Sequence, residues 1–152
     1  TCTLPERLRV GGIVKVEGPY GCFTFEDGRP HQIWIGAGIG ITPFIARMKY
    51  LAQENLQNQH SIDLFHATAE YDPEAIDKLA ADAKAAGVRF HLFIDKRDGH
   101  LTGERLRAMV PSWKESSVWF CGPVGFANAL RTDLVAQGLS PKEFHQELFE
   151  MR

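Results

Sequence analysis

A chain of 152 residues, 44% hydrophobic and 24% charged, has the length and balance of one domain around a single core. A formal charge of −2 argues against a nucleic-acid partner, and no apolar run approaches the roughly 20 residues that span a bilayer. With no basic-then-apolar leader at the N-terminus, the expectation is a cytoplasmic chain that does not itself insert into a membrane.

The cysteines are odd in number, Cys2, Cys22 and Cys121, and widely separated, which fits reduced thiols better than disulfides or zinc. Six scattered histidines form no ligand motif, so no metal is expected. Residues 1–29 hold one alternating run, Ile13 to Glu17, followed by the turn-rich Gly18-Pro19-Tyr20-Gly21. One strand with its turns cannot bury a core, so this part reads as the tail of a preceding β domain. A second unit is expected over 30–152.

From there strands and helices alternate. Gln32 to Gly36 reads as a strand, and Thr42-Pro43 as a helix cap followed by proline at the first helical position. Phe44, Met48, Leu51 and Ala52 carry that helix to about Asn55. A strand over Ser61 to Ala69 precedes a second cap-and-proline pair, Asp72-Pro73. Ile76, Leu79, Ala80 and Ala83 form the buried stripe of the next helix, Glu74 and Lys78 pair on its outside, and Gly87 stops it. Val88 to Asp95 is a third strand, Gly103 to Met109 a short helix, and Ser117 to Cys121 a strongly apolar strand. A helix over Pro123 to Gln137 and a last strand over Phe144 to Phe149 complete the series. The alternation predicts a doubly wound α/β domain on a five-stranded parallel sheet.

Three segments carry chemistry. Gly36-Ala37-Gly38-Ile39-Gly40-Ile41-Thr42-Pro43 sits at the first strand-to-helix junction, where glycines admit a diphosphate and a helix N-terminus attracts it. Its spacing is GxGxG rather than GxGxxG, and taken alone it also reads as a glycine-rich tight turn. Cys121-Gly122-Pro123 repeats the arrangement after the fourth strand, although a single strand cysteine is also a small apolar core residue. In the last strand, alternation puts His145, Glu147 and Phe149 on one face, which suits either a cover for a flat redox ring or an edge strand with one charged face.

In combination, in this order and spacing, the three motifs resemble the ferredoxin–NADP⁺ reductase superfamily. Val16 to Phe23 is similar to the exit from that family's flavin-binding barrel, and Phe144 to Arg152 most resembles bacterial ferric-reductase-like and NADPH-oxidase-like flavoproteins. The resemblance implies an NAD(P)H-binding module working with FAD held mainly by an upstream domain. A haem-bearing membrane domain can precede that one, with the parent anchored in the inner membrane and this part on its cytoplasmic side. Gly36, Gly38, Gly40, Ile41, Thr42, Pro43 and Thr68 would bind the nucleotide, together with Cys121, Gly122, Pro123 and Phe149. Cys121 would lie against the nicotinamide, Phe149 would shield the flavin, and Glu147 would lie near its reactive nitrogen.

Two departures qualify the resemblance. The barrel's flavin motif is absent, so the chain alone is expected to bind flavin poorly. The segment His66 to Glu70 lacks the arginine that often grips a 2′-phosphate. Glu70 would repel that group, while Lys78, Lys96 and Arg97 are compensating cations or solvated surface charges, so NADH against NADPH stays open. Other readings are a noncatalytic nucleotide-binding or electron-transfer subunit, and the reductase component of an oxygenase whose iron–sulfur domain would lie outside this chain.

Overall fold

The computed structural model describes residues 24–25, 27–57 and 59–149. The expected barrel exit, Cys2, Cys22 and the ending Glu150 to Arg152 lie outside them.

Five strands form one wholly parallel sheet: β1 (His31–Ala37), β2 (Ser61–Thr68), β3 (Arg89–Ile94), β4 (Ser116–Pro123) and β5 (Phe144–Phe149). Their order is β3-β2-β1-β4-β5, so the winding reverses between β1 and β4. Between them run α1 (Thr42–Gln53), α2 (Pro73–Ala86), α3 (Gly103–Met109) and α4 (Val124–Ala136).

Both faces of the sheet are apolar, and each has its own core. Successive residues of β1 point to opposite sides. Ile33 and Ile35 join Phe65, Val118, Phe120, Leu106 of α3 and Leu130 and Leu134 of α4. Trp34, between them, joins Leu64, Trp119, Phe44 and Met48 of α1 and Leu79 of α2. The two buried tryptophans face each other across β1 and β4. Each indole N–H donates to the residue two positions earlier on its own face, Trp34 to Gln32 and Trp119 to Ser117, both at 3.0 Å. Period-two spacing thus satisfies polar groups that burial would otherwise make costly.

Phe25 enters this second core, 5.1 Å from Trp34 and 5.2 Å from Trp119 between ring centres, with its carbonyl accepting from Gln32 Nε2 at 3.0 Å. The segment before β1 is therefore held to the sheet.

At the N-terminal ends of β1 to β3, Asp63 is clamped by His31 (2.9 Å), His91 (2.8 Å) and both arms of Arg89 (2.9 and 2.7 Å). Burial alone would raise the Asp63 carboxyl, but these hydrogen bonds and the Arg89 charge hold it well below the usual carboxylate range.

The α2 expectations hold: Asp72 accepts from the N–H groups of Glu74 and Ala75, Gly87 closes the helix at φ 71°, and Lys78 pairs with Glu74 at 3.1 Å. Other boundaries move. β1 gains a residue at each end, β4 begins at Ser116 and continues to Pro123, and α4 consequently starts at Val124, not Pro123. β3 is shorter than expected, and Asp95, expected at its end, instead begins a helical turn, Asp95–Asp98.

Candidate functional site

The two glycine-containing corners meet. Gly36 lies beside Cys121 in the β1–β4 pairing, at the sheet edge where the winding reverses. After β1 the chain tightens into a 3₁₀ turn, Gly38–Ile41, which runs into α1 without a break. Thr42 is therefore not the cap expected from the sequence: it is the first helical residue, and Ile41 holds the cap position in helical geometry. The Thr42 hydroxyl donates back to the Ile39 carbonyl at 3.0 Å. Ile41 is half-buried against the α1-side core and Pro43 occupies the helix's second position.

Two glycines here have distinct causes. Gly38 adopts φ +58°, a left-handed conformation that side chains disfavour, and the space its Cβ would enter is open. Gly40 is buried, and a Cβ there would collide with the Cys121 carbonyl, so its backbone is seated directly on the β4 corner. Gly36 lies under Ile41 and Gly122 against Ala37.

The corner is braced by His66, a buried residue of β2 whose Nδ1 donates to the Gly36 carbonyl at 2.9 Å. Burial lowers the pKa of this imidazole, partly offset by that carbonyl. Because a carbonyl can only accept, this contact requires a proton on Nδ1.

Beside the corner opens a cleft of about 600 Å³, a size suited to a nucleotide. Gly38, Ile39, Thr68 and Pro123 line it, as do Asp95 and His100 from the segment after β3 and Phe126 from α4. Thr68 turns its hydroxyl inward on the chain, donating to the Glu70 carbonyl at 3.0 Å and accepting from the Glu70 N–H at 3.2 Å. The Asp95 carboxylate and the His100 ring approach to 3.3 Å on the far wall. Phe126 packs edge-on to Phe120, 5.3 Å away, which joins the cleft floor to the α4-side core.

Cys121 does not line this cleft. Its side chain is buried on the α1 side of the sheet, with Trp119 two residues earlier. Glu147 is its register partner on β5, and burial followed by the Glu147 charge pushes the thiol upward in pKa. As alternation predicts, Phe144 packs on the Phe120 side and His145 stacks on Trp119 at 4.0 Å. Phe149 pairs through its backbone with Pro123, and its side chain lies outside the described residues. The cleft, on the α4 side, and the Cys121–Glu147 pair, on the α1 side, are separated by the Gly38–Gly40 corner.

No family model matches the chain. It is similar to an NADPH oxidoreductase of Mycobacterium tuberculosis, 31% identical over 144 residues, covering 93% of this chain and 37% of the relative. The phenoxybenzoate dioxygenase subunit beta of Ectopseudomonas oleovorans is 32% identical over 143 residues, covering 93% of this chain and 41% of that protein. Among solved structures, the flavohaem-like FAD/NAD-binding domain of nitric oxide dioxygenase from Vibrio cholerae superimposes with a TM-score of 0.68 at 22% identity, over 87% of this chain and 55% of that one. The chain belongs to the ferredoxin–NADP⁺ reductase superfamily. It spans about two fifths of the length of the curated relatives it matches.

In this superfamily member the expected residues fall into two groups. Gly36, Gly38, Gly40, Ile41, Thr42 and Pro43 form one continuous corner against Cys121, Gly122 and Pro123, and Thr68 joins them at the cleft. Glu147 stands with Cys121 on the other side. Sequence reading missed His66, Asp95, His100 and Phe126 as parts of the site. The signal for Asp95 was available, since ligands of open α/β sheets gather outside the carboxyl ends of the strands and Asp95 directly follows β3. Among the described residues there is no cluster able to hold a metal ion and no helix long and apolar enough to cross a membrane.

Proposed function

We propose that this chain is the nucleotide-binding module of an NAD(P)H-dependent flavoprotein oxidoreductase, and that it presents the nicotinamide to FAD held mainly by an upstream domain. The observation that carries this is the Gly40 backbone seated on the Cys121 carbonyl, which joins two strand-end corners into one cradle at the winding reversal. The residues present fit a dinucleotide: Gly38 leaves open space at its Cα, and the 3₁₀ turn leading into α1 brings the partial positive charge of a helix start to the corner.

Bound together, the two cofactors supply hydride transfer from reduced nicotinamide to flavin and onward electron delivery. The chain's part is placement. The 3₁₀ turn and α1 would hold the diphosphate, the cleft would take the adenosine half, and the corner would direct the nicotinamide toward Cys121. The thiol's raised pKa keeps it protonated at neutral pH, so Cys121 acts as a compact, weakly polar wall and not as a nucleophile. Glu147, beside it on β5, would lie near the flavin's reactive nitrogen, and Phe149 would cover the flavin ring.

The test uses a polypeptide that carries the upstream flavin domain, with flavin reduction followed in a single anaerobic turnover. Cys121→Ser is expected to slow reduction more than it weakens nucleotide binding; equal losses, or none, contradict the placement. Without the flavin domain, the chain is expected to oxidise little NAD(P)H.

The electron acceptor divides two readings. Similarity to a dioxygenase subunit favours the reductase component of an oxygenase, whereas the resemblance of Phe144 to Arg152 favours a ferric-reductase-like parent with a haem-bearing membrane domain. The mycobacterial relative is named for NADPH.

A further inference from the structure

The corner that seats the diphosphate in the reading above carries no fixed charge. Residues 36–43, Gly-Ala-Gly-Ile-Gly-Ile-Thr-Pro, are all uncharged, and among the described residues no lysine or arginine lines the adjoining cleft. The first cation of α1, Arg47, lies with its guanidinium over the Phe25 and Tyr50 rings at 5.5 and 5.0 Å. A diphosphate, with its two negative charges, would meet only backbone and the partial charge of a helix start.

One titratable ring is bonded to that corner. His66, near the end of β2, lies beside Gly36 in the parallel register, and its Nδ1 donates to the Gly36 carbonyl at 2.9 Å. Alternation along β2 puts it with Ile62 and Leu64 on the side of the sheet that α1 covers. The residue is only 7% exposed, and Nδ1 is committed to the backbone. Nε2 has no hydrogen-bond partner among the described residues and is not sealed from solvent.

Other charges stand off from this ring. On β1 and β3, His31, Arg89 and His91 are bound to Asp63 at the opposite end of the sheet. On α2, Lys78 pairs with Glu74 at 3.1 Å, Asp77 and Lys84 are exposed, and Asp82 is half-buried. Lys49 on α1 is exposed, as are Glu70 and Asp72 beyond β2. Cys121 and Glu147 lie across β1, on β4 and β5. The His66 pKa is moved by none of these: burial lowers it and the Gly36 carbonyl partly restores it. The free ring is therefore neutral near pH 7, its second proton withheld by burial.

We propose that His66 takes up a proton at Nε2 when the diphosphate settles on the corner, and so supplies the cation that the seat otherwise lacks. The inference rests on the nucleotide-binding reading above and adds a binding residue to it. The proton comes from solvent, no bond of the ligand breaks, and Nδ1 keeps its bond to the Gly36 carbonyl in both forms. An anion beside a buried imidazole favours the charged form. Binding then takes up protons, so affinity grows as pH falls through the titration of the bound ring and levels off once the free ring is charged too. A residue that merely braced the corner would give no such dependence.

The probe is ADP-ribose, whose diphosphate stays fully ionised over the pH range used. Calorimetric titration of this chain is expected to show affinity rising at least about threefold from about pH 8 to about pH 5.5. Buffers of differing ionisation enthalpy should report proton uptake on binding. Adenosine, which lacks the diphosphate, should show no such trend. His66→Asn keeps a side-chain N–H for the Gly36 carbonyl but cannot titrate, and it should abolish the rise. His100→Gln, which removes the imidazole of the cleft wall, should keep it. A second readout needs no variant: by NMR of its ring nitrogens, the His66 pKa should move up by at least about half a pH unit when ADP-ribose saturates the chain. A pH-independent affinity, a rise that survives in His66→Asn or vanishes in His100→Gln, or a ring pKa unmoved by the ligand overturns the proposal and leaves the nucleotide reading intact. Failure of both ADP-ribose and NADH to bind at any pH overturns the two together.

Discussion

A methyl group added at Gly40 and one added at Gly38 meet opposite surroundings. At Gly40 it runs into the Cys121 carbonyl, whereas at Gly38 it enters open space at a backbone angle of φ +58°. Gly40→Ala must separate the β1 and β4 corners and is expected to cost about 2 kcal/mol of stability, as overpacking does elsewhere. Gly38→Ala carries only left-handed strain, about 1 kcal/mol, and its side chain would occupy the ligand's side of the loop. Urea denaturation and nucleotide titration on both variants separate these causes. Gly40→Ala should lose stability and affinity together, and Gly38→Ala should lose affinity out of proportion to stability.

His66 makes the same corner sensitive to pH. Its pKa is lowered by burial from an ordinary 6.5, so the unfolded chain takes up this proton before the folded one does. Its contribution is complete above about 6.5 and is lost as pH falls from there toward the folded value. Unfolding free energies measured between about pH 7.5 and pH 5 should therefore slope less steeply in His66→Asn than in the unaltered chain. Identical slopes would contradict the role given to the ring. Sequence alone could not single out His66, because an imidazole on an apolar strand shows its partner only once β1 lies beside it.

Among the elements, what the sequence made legible was local. Asp72, Pro73 and Gly87 bound α2 because capping and left-handed termination involve residues a few positions apart. The start of α1 was misread because Thr42-Pro43 carries the same local signal while the preceding glycines already wind into a 3₁₀ turn. Strand ends shifted by a residue or two because neighbouring strands set them. The clamp on Asp63 is the extreme case, assembled from β1, β2 and β3. Asp63→Asn leaves two imidazoles and a guanidinium facing a neutral group and is expected to cost about 3 kcal/mol near neutral pH. The depressed carboxyl pKa sets the sign. Its contribution is present above the ordinary value of 3.8 and is lost as pH falls below it, so Asp63→Asn should lack that part of the acid-induced loss in a pH-resolved melting series.

For the molecule as a whole, parallel winding brings every strand's carboxyl end to one edge, and the edge gathers the site. Period-two and helical spacing made that winding readable from the sequence, and the two glycine corners with it. The opposite wall of the cleft was not readable, since Asp95, His100 and Phe126 come from separate segments after β3 and β4 and converge only in the folded sheet. The division between a cleft on the α4 side and Cys121 with Glu147 on the α1 side was also invisible beforehand. It follows from Gly40 resting on β4 between them. The proposed ligand, a reduced pyridine nucleotide, would lie across that corner.

Amide chemical-shift mapping of the isotopically labelled chain, titrated with NADH, tests this most directly. Perturbations are expected to concentrate on Gly38 to Thr42, Thr68 and Gly122 to Val124, with the Asp63 clamp at the far end of the sheet undisturbed. Shifts clustered around that clamp instead, or none at millimolar nucleotide, would contradict the account.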